Sequence, residues 1–375
     1  MGVNDVLIML PGPIQLHERV IKAMCRQVIG HRSAEFGEIL KFCGEVMKEV
    51  FGTKNDVYFI TGSGTAGVEA GIASFSKVGK FVTLENGKFG ERLGEIAERY
   101  AEVERLSFEW GKPIDLEKLK EALENGAKAV AFVHNETSTG MLNPAEEIAK
   151  IAKKYDALTI MDAITSAGGD YVKMDEWGID VAVVGSQKCL GAPPGITAVA
   201  VSEKAWEFYN PKCPLYLDLK AYKKKLPELQ TPYTPAVTLF FALEEALKMI
   251  KEEGMENRVK RHRKLAKAVR SWAVNAGLKL FPEPDKFSDY SNTVTAIRIP
   301  DGITEKELRD SVRKEYGIVF SGGQDKVKGK IFRIATMGNI GKFELMATLT
   351  AIEDVLLRKN LIKPALDFAR KELQP

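Results

Sequence analysis

The sequence predicts an α/β protein with a large domain built on a mainly parallel sheet and a smaller α+β domain after it. Between about residues 55 and 210, short apolar segments alternate with amphipathic helical patterns. That alternation is typical of parallel strands whose two faces are both covered by helices. After about residue 235 longer helical patterns with a few isolated strand patterns follow, which favours a separate smaller domain.

Six apolar segments predict the strands of the large sheet. In chain order they are 57–62, 81–86, 129–134, 158–163, 181–186 and 196–202. Helical patterns predict helices at 114–126, which ends on Gly126, and at 144–155, which starts with a first-turn proline. Because sites in such sheets lie beyond the carboxyl ends of the strands, the polar residues that end these strands are the candidates for chemistry.

The C-terminal part of the chain has a different pattern. Residues from 237 to 277 predict helices with a break near Gly254. The elements predicted after them are a surface loop at 281–292, a strand at 293–300, a helix at 304–317, a strand at 331–338 and a final helix from Lys342 to about Lys359. These elements predict the smaller domain.

Composition disfavours several classes of function. The net charge is only +3, so we expect neither nucleic acid nor a membrane as a partner. The four cysteines form no CxxC pair and predict neither a disulfide framework nor a zinc site. The N-terminal residues lack the basic start of a signal peptide, and no apolar stretch approaches the roughly 20 residues that span a bilayer. We therefore expect a cytoplasmic protein without a bound metal.

A glycine-rich turn follows the first predicted strand. Residues 62–67 (GSGTAG) precede a helical pattern, and small residues at such a turn let backbone amides approach a phosphate. The turn lacks the Gly-Lys-Ser/Thr end of a Walker loop and is not the GxGxxG of dinucleotide sites. Taken alone, the segment predicts a simple tight turn equally well.

Two charged residues lie at the ends of apolar strands. Asp162 ends one predicted strand, and Lys188 follows the next, in front of a stiff Gly/Pro turn. A buried carboxylate needs a positive partner, which could be backbone amides or a cationic cofactor nitrogen. A desolvated lysine either pairs with an acid or forms a Schiff base. The polar run 134–140 after a third strand is either a solvated loop or the lining of a site.

Together these features predict a site for pyridoxal 5′-phosphate (PLP). Lys188 would hold the aldehyde of PLP, Asp162 would keep the pyridine nitrogen protonated, and the glycine-rich turn would anchor the phosphate. Phe89, after the second strand, is the candidate to stack on the ring, although a core phenylalanine is an equally good interpretation. Arg333 interrupts the apolar segment IFRIA. Its planar guanidinium group suits the binding of a substrate carboxylate, and an ion pair with a carboxylate in the protein interior is the alternative interpretation.

At these residues the chain resembles the class V (fold type I) PLP-dependent aminotransferases, in particular the alanine–glyoxylate, serine–glyoxylate and serine–pyruvate group with its archaeal members. The motifs that carry the resemblance are LPGP (10–13), GHRS (30–33), TGSGTAG (61–67), NGKFGER (86–92), HNETSTG (134–140), MDAITSAGG (161–169), GSQKCL (185–190), TPYTP (231–235) and FRIATMG (332–338). The resemblance implies the PLP-transferase fold type I. It divides the chain into an N-terminal segment (1–20) that contributes to the active site, a large PLP-binding domain (21–240) and a small C-terminal domain (241–375).

The resemblance also implies a role for each residue of the site. Lys188 and Asp162 would be catalytic: Lys188 would bind PLP covalently and shuttle the proton, and Asp162 would pair with the pyridinium. Phe89 would stack on the ring, at a position where many relatives carry Trp. The residues that would hold the phosphate and the ring hydroxyl of PLP are Ser63, Gly64, Thr65, Gln187 and Thr137.

The substrate and a partner subunit complete the implied site. Arg333 would bind the substrate carboxylate, and Gly12 of the N-terminal turn would lie beside the substrate. Thr234 would reach the phosphate of the partner subunit in a homodimer with shared active sites. Thr231 stands where some relatives have Tyr, which leaves one contact between the subunits open.

The predicted reaction is transamination of a small amino acid, alanine or serine, with glyoxylate or pyruvate, in a ping-pong cycle through pyridoxamine phosphate. Aspartate stays open as a donor, with Arg32 as the candidate for its side-chain carboxylate, and so does a PLP lyase or epimerase reaction. A desulfurase is disfavoured because no cysteine follows Cys213 and Gln187 stands where desulfurases typically carry His. The predicted catalytic residues disfavour a non-catalytic module, and a dehydrogenase would leave the lysine unexplained.

Overall fold

The computed structural model describes residues 6–374 of the chain. The first five residues of the predicted N-terminal segment (1–20) and Pro375 of the predicted small domain lie outside the described residues. None of the described helices combines the length and the apolar character that crossing a membrane requires.

The helices and strands are numbered in chain order. The helices are α1 (Glu18–Ala23), α2 (Ala34–Phe51), α3 (Gly64–Phe75), α4 (Lys88–Ala97), α5 (Leu116–Glu124), α6 (Ala145–Lys154), α7 (Met174–Trp177), α8 (Leu219–Lys225), α9 (Val237–Glu253), α10 (Met255–Ala276), α11 (Glu305–Tyr316), α12 (Lys342–Leu357) and α13 (Leu366–Glu372). The strands are β1 (Leu7–Met9), β2 (Asp56–Thr61), β3 (Phe81–Glu85), β4 (Val103–Ser107), β5 (Ala129–Val133), β6 (Asn135–Glu136), β7 (Met141–Leu142), β8 (Leu158–Asp162), β9 (Val181–Gly185), β10 (Ile196–Val201), β11 (Asp289–Tyr290), β12 (Val294–Arg298), β13 (Ile318–Gly322) and β14 (Ile331–Ala335). The six strands predicted for the large sheet are confirmed, and each ends one residue before its predicted end.

The large sheet has seven strands in the order β2-β10-β9-β8-β5-β3-β4. All neighbours from β9 to β4 pair in parallel. Strand β10, predicted at 196–202, pairs antiparallel with both β2 and β9. It therefore runs in the opposite direction to its two neighbours. The mainly parallel α/β architecture predicted from the sequence is confirmed.

Helices cover both faces of this sheet, which explains its uniformly apolar strands. One face packs against α2, α5, α6 and α9, and the other packs against α3, α4 and α8. Helix α3 lies close to the sheet at Gly67, where a Cβ atom would come 2.3 Å from Thr197 Oγ1 and 2.7 Å from Val183 Cγ1. This close approach holds the first turn of α3 at the carboxyl end of β2.

A second sheet has the order β1-β13-β14-β12 and packs against α10, α11 and α12. Strand β1 pairs in parallel with β13, so Leu7–Met9 belongs to this smaller sheet. The chain then crosses to the large sheet before α1. Residue 240, the predicted end of the large domain, lies inside α9, whose Phe240 and Phe241 pack in the core of the large sheet. The domain limits at residues 20 and 240 stay predictions.

The predicted surface loop 281–292 is wrong at its C-terminal end. Asp289–Tyr290 forms β11 and pairs with β7, and Ser291 and Asn292 are buried. The Asn292 side chain donates a hydrogen bond of 2.7 Å to the buried Asp170. Polar side chains can be buried here because their partners lie inside the protein, a fact that a polar sequence pattern does not reveal.

Candidate active site

A cavity of about 320 Å³ opens beside the carboxyl ends of β2, β5, β8 and β9. Its walls come from the start of α3, helix α4, the loop after β5 and the turns after β8 and β9. The residues that line it include Ser63, Gly64, Thr65, Phe89, Arg92, Asn135, Thr137, Asp162, Ile164, Thr165, Gln187 and Lys188. Every predicted cofactor-binding residue except Thr234 therefore lies around one cavity.

Helix α3 begins at this cavity. Ser63 is its N-cap residue, and the Ser63 side chain makes no capping hydrogen bond. The first amides of a helix have no acceptor within the helix. A Cβ atom on Gly64 would lie 2.4 Å from Ile164 Cδ1, so a larger residue would close this end of the cavity. The helix start presents a hydroxyl group and backbone N–H groups, which suit an anion.

Asp162 is the last residue of β8 and is only 6% exposed. One carboxylate oxygen accepts a hydrogen bond of 2.8 Å from the backbone N–H of Ile164. Burial raises the pKa of Asp162 to about 7, although the Ile164 amide and the charges of Lys188 and Arg92 act in the opposite direction. The carboxylate therefore lacks a full counter-charge within the chain and would gain one from a cationic ligand.

Lys188 lies in the turn after β9 and is 9% exposed. Its Nζ donates a hydrogen bond to the carbonyl oxygen of Pro11. The next residue, Gly12, has φ +104°, and a Cβ atom there would lie 2.6 Å from Lys188 Nζ. Burial lowers the pKa of Lys188 to about 8, and the charge of Arg333 acts in the same direction. The amine is therefore neutral in a large fraction of molecules near pH 8, as a nucleophile requires.

Two buried polar atoms in the cavity wall have no hydrogen-bond partner among residues 6–374: Asn135 Oδ1 and Gln187 Oε1. The Nδ2 group of Asn135 is already used, since it donates to Thr293 Oγ1 at 2.7 Å. Beside it, the hydroxyl groups of Thr137 and Thr165 lie 2.7 Å apart. Because an unpaired buried polar group costs about 1–3 kcal/mol, these atoms favour a ligand that completes their bonding.

Phe89 lies in the first turn of α4 and faces the cavity. Its backbone N–H and that of Gly90 donate to one oxygen of Glu136, at 3.1 and 3.0 Å. Glu136 is fully buried, and burial raises its pKa against the hydrogen bonds from Ser138 and these amides. The carboxylate thus caps α4 and fixes the position of the Phe89 ring.

Arg333 lies on β14 and is buried, just outside the residues that line the cavity. Its Nε donates to Gly322 O at 2.9 Å and its Nη1 donates to Thr137 O at 3.0 Å. Burial lowers its pKa to about 10. No hydrogen bond within residues 6–374 uses Nη2, so that edge of the guanidinium is open to a carboxylate.

Besides Gly12 and Arg333, three further residues of the sequence prediction lie outside the cavity lining. Thr234 is exposed. Thr231 is buried, and its hydroxyl donates to Tyr233 O. Arg32 donates to Gln230 Oε1 at 2.7 Å. Within one chain these residues do not meet the cavity.

The sequence reasoning missed Arg92, Glu136, Asn135 and Thr165 as residues of the site or of its support. For Arg92 a signal was present, because it follows Phe89 by three residues on one helix and so faces the same side. For Asn135 and Glu136 the polar run 134–140 was noted, but its individual contacts depend on the fold.

The family assignment follows from comparison with known proteins. Residues 15–329 match the family described as aminotransferase class-V. The chain belongs to this family. The resemblance inferred from the motifs is thereby confirmed, and the protein is an aminotransferase that acts on small molecules.

Individual relatives cover nearly the whole chain. An uncharacterized aminotransferase of Methanocaldococcus jannaschii is 47% identical over 92% of this chain and 91% of its own length. A serine–glyoxylate aminotransferase of Methylorubrum extorquens is 32% identical over 95% of this chain and 92% of its own length. The crystal structure of ureidoglycine–glyoxylate aminotransferase from Bacillus subtilis superposes with a TM-score of 0.92 at 36% identity, and the match covers 98% of this chain and 97% of that one.

Membership of this family implies PLP as the cofactor, and the cavity fits it. The α3 start suits a phosphate, Asp162 suits a cationic ring nitrogen, and Lys188 suits an aldehyde. The unpaired Asn135 and Gln187 atoms leave polar positions that a polar ligand can use.

Proposed function

We propose that this aminotransferase moves the amino group of a small neutral amino acid, alanine or serine, to glyoxylate or pyruvate. The observation that carries the proposal is that the buried Lys188, the buried Asp162 and the start of α3 line one cavity. Burial there lowers the pKa of Lys188 to about 8 and raises the pKa of Asp162 to about 7. Shifts of this kind, caused by burial in a cleft, are typical of catalytic groups.

When bound, PLP supplies an electrophilic carbon and an electron sink. Lys188 would hold the cofactor through its Nζ atom. During the reaction Lys188 Nζ would take the proton from the α-carbon of the substrate and return it later in the cycle. Pro11 O, which accepts a hydrogen bond from Nζ, keeps the amine on the side of the N-terminal turn.

Asp162 would orient the ring and balance its charge. Its carboxylate would accept a hydrogen bond from the protonated ring nitrogen, and that positive charge would offset the cost of burying the carboxylate. Phe89 would cover one face of the ring. The phosphate would be held at the start of α3 by Ser63, Gly64, Thr65 and Gln187, and Thr137 would donate to the ring hydroxyl.

Arg333 selects an α-carboxylate. Because Gly322 O and Thr137 O take its Nε and one Nη1 hydrogen, the remaining Nη1 and Nη2 hydrogens form an end-on fork for two carboxylate oxygens. Gly12 leaves room for the Lys188 side chain, because a Cβ atom on Gly12 would lie 2.6 Å from Lys188 Nζ. An aspartate donor needs a further cation for its side chain, and Arg32 is bound to Gln230 away from the cavity, which favours a neutral donor.

The test is the visible spectrum of the purified enzyme with PLP, before and after addition of alanine, serine or aspartate. We expect a yellow form that one of the neutral donors bleaches and that glyoxylate or pyruvate restores. A response to aspartate alone would replace the donor assignment, and a protein that never acquires cofactor absorbance would overturn the proposal.

We also propose a homodimer in which Thr234 reaches the phosphate of the partner subunit. Two features support this arrangement. Thr234 is exposed, and its loop is held at the end of β2, because Ala236 N donates a hydrogen bond to Thr61 Oγ1. Light scattering should give twice the mass of one chain, and a monomer that is active at all dilutions would contradict it.

A further inference from the structure

The phosphate of PLP carries close to two negative charges, and the proposed ligands do not balance them. Ser63, Gly64, Thr65 and Gln187 are all neutral. The start of α3 contributes the equivalent of only about half a positive charge. A buried anion without a counter-charge is costly, so this end of the cavity needs a cation.

Arg92 lies at this end. It lines the same cavity as the start of α3, and its Nη1 is 3.5 Å from Thr65 Oγ1, at the long limit of a hydrogen bond. Its guanidinium carbon lies 4.9 Å from the centroid of the Phe89 ring. This contact between residues three apart on α4 holds the guanidinium over an aromatic face and points it toward α3.

No carboxylate within residues 6–374 forms an ion pair with Arg92, whereas two other partly or fully buried arginines are paired. Arg105 pairs with Glu85 at 2.7 Å, and Arg258 pairs with Glu253 at 2.7 Å. The charge of Arg92 acts on the cavity instead. After the larger effect of burial, it contributes to the lowered pKa of Lys188 and opposes the raised pKa of Asp162.

We infer that Arg92 is the charged ligand of the cofactor phosphate, and this inference rests on the proposed function. The Phe89 ring thus serves two partners, the cofactor ring and the guanidinium that neutralises the phosphate.

The test compares PLP with pyridoxal, which has the same ring and aldehyde but no phosphate. The apoprotein is titrated with each compound and followed by visible absorbance, for wild-type protein, Arg92→Gln, Arg92→Lys and the control Arg99→Gln. Arg99 is exposed near the end of the same helix, outside the cavity. Because a charge-assisted hydrogen bond is lost, we expect Arg92→Gln to weaken PLP binding by about 10- to 100-fold and to leave the affinity for pyridoxal unchanged. Arg92→Lys should retain most of the PLP affinity. Arg99→Gln should have no effect on the binding of either compound.

Other outcomes overturn the inference. Equal losses for PLP and pyridoxal would mean that Arg92 only supports the Phe89 ring. Unchanged PLP affinity with a raised KM for the amino donor would make Arg92 a substrate ligand. If Arg92→Gln does not fold, Arg92→Ala takes its place, and a loss of affinity that is confined to PLP again identifies a phosphate ligand. A wild-type protein that binds neither compound would instead contradict the proposed function itself.

Discussion

Two groups of buried or partly buried charged residues lie on either side of the Lys188 turn, and their charges are balanced in opposite ways. One is the cavity pair Asp162 and Lys188. The other, here called the junction cluster, consists of Glu253, Arg258 and Arg261 where α9 meets α10. In the junction cluster Arg258, 1% exposed, donates to Gly168 O at 2.8 Å, to Cys189 O at 2.7 Å and to Glu253 at 2.7 Å.

Arg261 completes the junction cluster. It donates to both oxygens of Glu253, at 2.6 and 3.0 Å, and to the carbonyl oxygens of Ile340 and Gly338. The cluster therefore ties together the loops that follow the strands of Asp162, Lys188 and Arg333.

The pKa shifts differ between the junction cluster and the cavity pair. Burial alone would raise the pKa of Glu253, but the hydrogen bond from Arg261 and the charge of Arg258 outweigh it, and the pKa is lowered. In the cavity, burial prevails, so the pKa of Asp162 rises to about 7 and that of Lys188 falls to about 8. A buried charge with partners in the chain holds the fold together. A buried charge without them is available to a ligand.

The largest effect that this comparison predicts is on Lys188→Ala. Transamination should fall by on the order of 10³-fold or more, because the nucleophile and the proton carrier disappear together. The melting temperature of the apoprotein should stay the same or rise, since a buried cation is removed. Single-turnover kinetics with the yellow protein measure the first effect, and turnover near the wild-type rate would show that the lysine is misassigned.

We expect Arg258→Met to have the opposite effect on stability from Lys188→Ala. Removing the guanidinium leaves two buried carbonyl groups and one side of Glu253 without a donor, so we expect the free energy of unfolding to fall by about 2–4 kcal/mol. Thermal melts of the apoprotein measure it, with Lys260→Met, exposed on the same helix and paired only with Glu256, as the control that should change by less than about 0.5 kcal/mol.

A loss of stability no greater than that of the control would mean that the junction cluster does not hold the loops. A loss of PLP affinity without a loss of stability would place Arg258 with the cavity group.

The same difference explains which of these charged residues could be predicted from the sequence. Asp162 and Lys188 were predictable because an isolated charge at the end of an apolar strand is rare and needs an explanation. Arg258 lies in a long helical pattern among many charged residues, where a solvated face is the default interpretation, and its buried carbonyl partners come from segments about 70 and 90 residues away.

The fold itself was largely predictable because apolar strands covered on both faces leave a strong local pattern. Strand β4 has a half-buried edge pattern, and it was not predicted because its alternation of Val, Glu, Arg and Leu gives no continuous apolar run. Long-range polar pairing, as between Asn292 and Asp170, has no local pattern at all.

The pH dependence of PLP binding to the apoprotein tests the lowered pKa of Lys188 directly. Because burial lowers the pKa of Lys188 to about 8, the neutral fraction of its amine should rise with pH through about 8 and then level off. At pH 8 that fraction exceeds the fraction of an ordinary lysine by roughly 10²-fold. The initial rate at which apoprotein gains visible absorbance on mixing with PLP, measured from pH 6 to 10, tests this. A rate that still rises about tenfold between pH 8 and pH 9 would show that Lys188 is not perturbed, because an ordinary lysine has a pKa of about 10.4.

The smallest effect is expected for Asp162→Asn in the apoprotein, and its sign separates the two groups of charges. The pKa of Asp162 is raised in the folded state, so the folded protein holds this proton between about pH 4 and pH 7 where the unfolded chain has released it. Stability is therefore lost as pH rises through that window, and the penalty is complete above pH 7. Asn removes the charge and keeps the shape, so the variant should be more stable than wild type at pH 8, by on the order of 1 kcal/mol, with no advantage near pH 4. Melts of both apoproteins at the two pH values decide it. If Asp162→Asn is less stable at pH 8, the carboxylate already has its partners within the chain, and the cavity would resemble the junction cluster after all.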